Sequence, residues 1–374
     1  MTATNDDLLL RERLVAMTRD LILIPSIPSR PDDLRRCYEF VKNHVDALDG
    51  IRVDEYESAG HRSLVAMPMG ESEPAVLLCA HLDVITHPDL AFYRSEVRQG
   101  RIVGPGAGDM KGALGILLDL FLTIHHAAPR ASLGIAVTSD EELGGEHGIG
   151  YLFDAVGLRC GTALVPDGGS LNEVTVDEKG LLHLRLRTLG TAAHAARPWL
   201  GVNAIDRLSE ALHRVRSVFD TPESDDSGES VATCAVTVID TENSTCNRIP
   251  SEASAILDIR FPAPYTAAQM RARVAQAAGP EVHLERIIEA EPTHLQPDPD
   301  YLAVIEAVTG SPARMVREAG ASDARFIGRY GIPVQMSRPL VGNLHAADEW
   351  IDIDSMVVFH RICERYLRLK LELR

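Results

Sequence analysis

Six imidazole and carboxylate side chains stand where a folded chain could use them together: His81, Asp109, Glu141, Glu142, Asp167 and His345. Each lies beside an apolar run or a glycine-rich turn. Imidazole nitrogens and carboxylate oxygens are the ligands that divalent cations such as zinc accept. Two such ions with a spare carboxylate beside them activate water against a polar bond. The chemistry to expect is therefore metal-assisted hydrolysis.

The local settings sharpen this. His81-Leu82-Asp83 follows the apolar run Ala75–Cys79. Residues i and i+2 of a strand point the same way, so His81 could bind an ion while Asp83 orients its other ring nitrogen. Gly104-Pro105-Gly106-Ala107-Gly108-Asp109 is a glycine-dense turn before an apolar helix. It lacks the Gly-Lys pair of a phosphate loop, and Asp109 stands where a dinucleotide loop needs its third glycine. Asp140-Glu141-Glu142 ends the apolar run Leu133–Thr138; three adjacent carboxylates there repel and call for water or a cation. Asp167 again follows an apolar run, and His345 sits in a polar loop before the last helix. Taken singly, each has a plain alternative: a satisfied His–Asp pair, a helix cap at Asp109, an exposed acidic turn.

Composition removes several function classes. The formal charge is −17, and it stays strongly negative with the candidate carboxylates set aside. Such a surface argues against nucleic acid. The longest apolar stretch, 114–124, is too short to span a bilayer, so no membrane partner is expected. Met1–Asp7 has no basic n-region and no apolar core, so no secretory leader is expected. The six cysteines show no CxxC spacing and read as reduced thiols of a cytoplasmic protein.

With 374 residues, two domains are expected. Amphipathic helices at 8–25 and 32–48 flank a Pro25–Ser29 turn. Apolar runs at 63–67, 75–79, 133–138 and 163–165 then alternate with helical segments, notably 111–126. That pattern predicts a layered α/β domain with a buried sheet. From 181 it changes: Leu182, Leu184 and Leu186 alternate with His183, Arg185 and Arg187, a half-exposed strand. A helix at 203–218, strands at 231–239 and 254–261, a helix at 266–278 and a strand at 282–288 complete a split βαβ order. The polar segment Thr221–Ser230 reads as a loop. Helices at 301–308, 323–329 and 353–369 and a short strand at 333–336 return to α/β character. We therefore expect a discontinuous catalytic domain, 1–179 and 289–374, with a smaller α+β domain at 180–288.

The motifs in order resemble the M20 family of metallopeptidases and amide hydrolases, which includes aminoacylases, carboxypeptidases and succinyl-diaminopimelate desuccinylases. The resemblance rests on His81-x-Asp83, Gly108-Asp109-Met110-Lys111-Gly112, Asp140-Glu141-Glu142 and the late His345, and it covers nearly the whole chain. It implies an α/β fold in which a central mixed sheet lies between helices, with a ferredoxin-like lid that also forms a homodimer. It implies two divalent ions, zinc first and cobalt or manganese next: His81 and Asp167 on one, Glu142 and His345 on the other, Asp109 bridging. It implies Glu141 as general base, Asp83 behind His81, and a cis peptide at Asp109–Met110.

Gly190–Ala204 resembles the segment whose histidine, here His194, reaches a partner subunit's active site. Asn247, Arg260, Gly320 and Ser322 fall on motifs that contact substrate. The implied reaction is cleavage of the amide of a small N-acyl amino acid by metal-activated water. A dipeptidase or other exopeptidase acting on short peptides is the alternative within the family, and a non-catalytic metal-dependent binding protein is the alternative outside it. Pro105 replaces a usual arginine, Cys79-Ala80 replaces a common glycine, and Asp167 stands where many deacylases of the family carry glutamate.

Overall fold

The computed structural model describes residues 5–219 and 231–373. The segment Thr221–Ser230, expected to be a loop, lies outside the described residues. The chain divides into two compact units: Met1–Val176 with Leu295–Val316 and Ser322–Arg374, and Asp177–His294 with Arg317–Ala321.

The first unit is built on a six-stranded mixed sheet. Its strands run in the order Ile51–Ser58, His61–Pro68, Leu133–Thr138, Val76–His81, Thr162–Leu164 and Val334–Gln335. The last four are mutually parallel, and the first two close the sheet as an antiparallel pair. Strands 76–81 and 133–138 are buried throughout because both faces are covered. Alternate residues serve alternate cores: Val76, Leu78, Ile135 and Val137 join one apolar cluster, Leu77, Cys79 and Ala136 the other. On the first face lie the long helices Asn5–Ile22, Pro31–Asp46, Gly112–Ala127 and Ile353–Lys370. Truncating a core side chain such as Leu78 or Phe121 to alanine costs about 2–5 kcal/mol.

The helix Gly112–Ala127 is apolar on nearly every side, so it must be buried, yet it carries Asp119 inward. Asp119 accepts from Arg13 Nε and Nη2 at 2.9 and 3.2 Å and from His360 at 3.0 Å. A second, small antiparallel sheet orders Val341–Gly342, Trp350–Asp352, Arg101–Val103 and Glu96–Arg98. Its ladder joins two stretches that are distant in sequence, and the loops leaving it carry Asp109 and His345.

The second unit is a four-stranded antiparallel sheet, ordered Thr233–Thr241, Glu252–Phe261, Gly180–Leu189, Val282–Ala290. Helices Ala204–Arg216 and Ala267–Ala278 cover one face. Asn203 caps the first helix, and a Thr266–Gln269 capping box starts the second. Leu182, Leu184 and Leu186 are buried, while His183 and Arg185 are half-buried and Arg187 exposed, as period-2 alternation predicts. The arrangement is a ferredoxin-like split βαβ. Among the described residues no helix is long and apolar enough to cross a membrane.

Candidate metal centre

In an open α/β sheet the functional site forms outside the carboxyl ends of the parallel strands. Here four neighbouring strands bring candidate side chains to that end. Strand 76–81 ends in His81; strand 133–138 leads into Asp140-Glu141-Glu142; strand 162–164 leads to Asp167; strand 334–335 leads to Arg338. His81 is almost fully buried, and its Nδ1 meets the main-chain carbonyl of Asp83 at 3.0 Å. The Asp83 carboxylate stands 3.6 Å from the same nitrogen and instead accepts from the Glu142 amide at 3.0 Å. The ring is thus held by a carbonyl rather than by the carboxylate that the HxD spacing suggested. With Nδ1 donating, Nε2 is the nitrogen that would offer its lone pair to a metal ion in place of its present hydrogen bond to Asp109.

The glycine turn shapes the next position. Gly106 has φ +81°, and a Cβ on Gly108 would sit 2.8 Å from Leu344 Cδ2. Asp109 follows, with a cis peptide to Met110. Glu349, buried in the loop beyond His345, accepts from the Gly108 and Asp109 amides at 2.7 and 2.8 Å and fixes the turn from behind. His345 has φ +63°, a conformation that costs a histidine roughly 1–3 kcal/mol and that its surroundings must enforce. Gly145, φ +66°, lets Asp323 approach the acidic turn; a Cβ there would lie 2.1 Å from its Oδ1.

These supports bring five of the six sequence-selected side chains into two ligand groups, His81–Asp109–Asp167 and Asp109–Glu142–His345, with Asp109 common to both. His81 Nε2 lies 3.1 Å from Asp109 Oδ1, and His345 Nε2 lies 3.2 Å from Asp109 Oδ2 and 3.7 Å from Glu142 Oε2. Two ligands about 2.0 Å from one tetrahedral ion stand roughly 3.3 Å apart, so the spacing suits ions of that size. Glu141, half-buried, belongs to neither group.

The electrostatics agree. Burial, with Asp109 nearby, pushes Glu142 up to about 8; burial, with Asp167, Asp323 and Asp109 nearby, holds Glu141 well above the usual carboxylate range. Burial opposes ionisation of Asp109, but hydrogen bonds to His345 and His81 outweigh it and hold this carboxylate low. The hydrogen bond to Asp109 raises His345 to about 9. Burial works against a charged His81, yet Asp109 and Asp83 lift it well above its ordinary value. The pocket is over-supplied with negative charge that two imidazoles cannot balance. A multivalent cation resolves that, and the nitrogen–oxygen donor set fits zinc, cobalt or manganese.

A sequence profile of Peptidase family M20/M25/M40 matches residues 77–369. The chain belongs to that family. It is 28% identical to the succinyl-diaminopimelate desuccinylase of Methylococcus capsulatus over 84% of this chain and 88% of the relative. Its fold resembles the dipeptidase Dug1p of Saccharomyces cerevisiae, at 13% identity, TM-score 0.78 and coverage of 98% and 97%. It also resembles the M20 metallo-carboxypeptidase Sso-CP2 of Sulfolobus solfataricus, at 17% identity, TM-score 0.75 and coverage of 99% and 100%. M20 enzymes are metal-dependent hydrolases, and this chain is an M20 hydrolase.

The remaining selected residues fall as follows. Ser322, in the same unit as the ligands, is buried; its Oγ accepts from the Ala324 amide at 3.2 Å and its carbonyl from Arg325 at 3.0 Å. In the second unit, His194 is exposed and its Nδ1 accepts from the Ala196 amide at 3.0 Å. The Asn247 carbonyl accepts from the Ala195 amide at 2.9 Å, and Gly320 is in an exposed loop. Arg260 forks onto Asp258 at 2.8 and 3.2 Å, two residues along the same strand face. Two residues beside the candidate ligands escaped sequence reasoning. Glu349 has no local signature beyond its place in a polar loop, since its partners lie far back in the chain. Arg338 shows only as a basic residue soon after a short strand.

Proposed function

We propose that this M20 hydrolase uses two metal ions to cleave the amide bond of a small N-acyl amino acid. The observation that carries the reading is the pair of ligand groups sharing Asp109, with Glu141 left outside both. The relatives' desuccinylase names support a succinyl-type acyl group as the first substrate to try. His81 and Asp167 would hold one ion, Glu142 and His345 the other, and Asp109, common to both groups, would serve each; zinc is the first choice for this donor set. When bound, such ions polarise a carbonyl and make water acidic.

The chain's own residues do the rest. Glu141 takes the proton of the attacking water and returns it to the departing amide nitrogen. Asp83 and the loop around it keep His81 and Glu142 in register. The second unit acts as a lid and as the dimer surface. Exposed apolar residues in one stretch, Trp199, Leu200, Val202 and Ile205, support that role. His194 of a second copy then donates to the carbonyl oxygen as negative charge builds there.

Two measurements test this. Glu141→Gln should keep both metals and lose turnover by about 10²–10⁴-fold; substantial residual activity would remove Glu141 from the base role. A panel of N-succinyl and N-acetyl amino acids beside free dipeptides, each with zinc, cobalt or manganese, should show acyl cleavage. Turnover of dipeptides alone would transfer the assignment to a peptidase, the reading that aspartate at position 167 favours.

A further inference from the structure

Arg338 is the unexplained group at the rim of the site. It stands three residues beyond the parallel strand Val334–Gln335, with Pro339 after it to keep its backbone extended. Its side chain is only 11% exposed, and its Nη1 lies 3.8 Å from Asp167 Oδ1. That is an ionic neighbour but too long for a hydrogen bond. Its Nε is buried with no hydrogen-bond partner.

Other arginines of this protein show what that edge of a guanidinium does when it has a carboxylate. Arg13 places Nε and Nη2 on Asp119, Arg187 places the same pair on Glu252 at 2.6 Å each, and Arg260 does so on Asp258. Arg338 has no such partner among the described residues. Leaving a buried charged donor unpaired is costly, so a site that keeps one is built for something that arrives. Asp167 is not that partner, because on the functional reading above its oxygens are taken by a metal ion.

We propose that Arg338 is a specificity-determining residue. Its Nε–Nη2 edge receives a carboxylate of the substrate in bidentate fashion, beside the metal group that holds Asp167. This rests on the reading of Asp167 as a ligand. The carboxylate has two possible sources: the far end of a dicarboxylic acyl group, or the α-carboxylate of the amino acid. A neutral acyl chain on an amidated amino acid offers the edge nothing.

The test compares wild type with Arg338→Gln and Arg338→Lys on N-succinyl-leucine, N-acetyl-leucine and N-succinyl-leucinamide, with metal content measured for each protein. Arg338→Gln should lose about 10- to 100-fold in kcat/KM, mainly through KM, on the substrates that carry the recognised carboxylate. Arg338→Lys should recover part of the loss. If the two succinyl substrates lose and N-acetyl-leucine does not, the acyl carboxylate is the ligand; if the two free amino acids lose and the amide does not, the α-carboxylate is. Succinate and leucine binding to the metal-loaded proteins, by calorimetry, should weaken in the same variant for the matching compound. Equal loss on all three substrates, or a fall in metal content that accounts for the loss, would overturn the proposal and leave Arg338 as a prop for Asp167. If wild type cleaves no N-acyl compound, it is the functional reading that fails, and the calorimetric comparison still judges Arg338.

Discussion

Asp109 and Asp119 belong to the same stretch of chain, and each accepts from two basic side chains. Asp109 meets His81 and His345; Asp119 meets Arg13 and His360. Around Asp119 the account closes within the protein, because one carboxylate faces a guanidinium and an imidazole. Around Asp109 it does not, because Glu141, Glu142 and Asp167 crowd the same pocket. Burial, with Asp109 and Asp83 nearby, pushes Glu142 up to about 8, while Asp119 stays below its ordinary value: burial works against its ionisation, and hydrogen bonds to His360 and Arg13 outweigh that cost. An acid–imidazole contact therefore does not identify a metal site. The surplus of buried carboxylates over protein cations is what makes the Asp109 pocket a candidate.

Substitutions at the two positions should separate these roles, and the largest effect is expected at Asp109, the proposed bridge. Asp109→Asn should empty both ligand groups and reduce turnover by more than about 10³-fold, read as metal per protein and kcat. Metal retained in full would end the bridging assignment. Asp119→Asn should leave metal content unchanged and lower unfolding free energy by about 3 kcal/mol, the low end for breaking a buried pair, since Arg13 is half-exposed. The pH dependence follows from the sign of the shift. A carboxylate held low in the fold contributes stability above its unfolded pKa of about 3.9, and this is lost as pH falls through the folded value. The gap between wild type and Asp119→Asn in chemical denaturation should therefore be full at pH 7 and shrink below about pH 4. A gap that widens in acid would contradict the assignment. The smallest effect is expected at Glu349→Gln, which keeps one carbonyl for the Gly108 and Asp109 amides. Metal affinity should weaken about 10- to 100-fold by competition titration, with near-normal turnover once saturated.

The sequence made the centre of the molecule readable and its margins less so. The strand Leu133–Thr138 was legible to the residue, since a short apolar run bounded by breakers has few other fates. The strand Ile51–Ser58 was not, because an edge strand with charged residues on its open side lacks both periodicity and apolar content. The strands Arg101–Val103 and Trp350–Asp352 are too short to signal alone and exist because they pair with each other. Among site residues, the HxD spacing indicated that His81 and Asp83 belong together. It could not tell whether the ring would choose the carboxylate or the carbonyl of the same residue, which is a matter of tenths of an ångström. Glu349 braces amides remote in sequence, and Arg338 comes beside Asp167 only in the fold, so nothing local marks either.

The unit that carries the ligands is interrupted by the other one, and its closing segment supplies His345 and Glu349. A ribosome that has just added residue 300 has made His81, Asp109, Glu142 and Asp167 but neither His345 nor Glu349. On the two-ion reading, the second ligand group then lacks its imidazole, and the turn that presents Asp109 lacks its brace. That group would be completed only after the inserted unit has been made, so the order of synthesis would delay a finished hydrolytic centre.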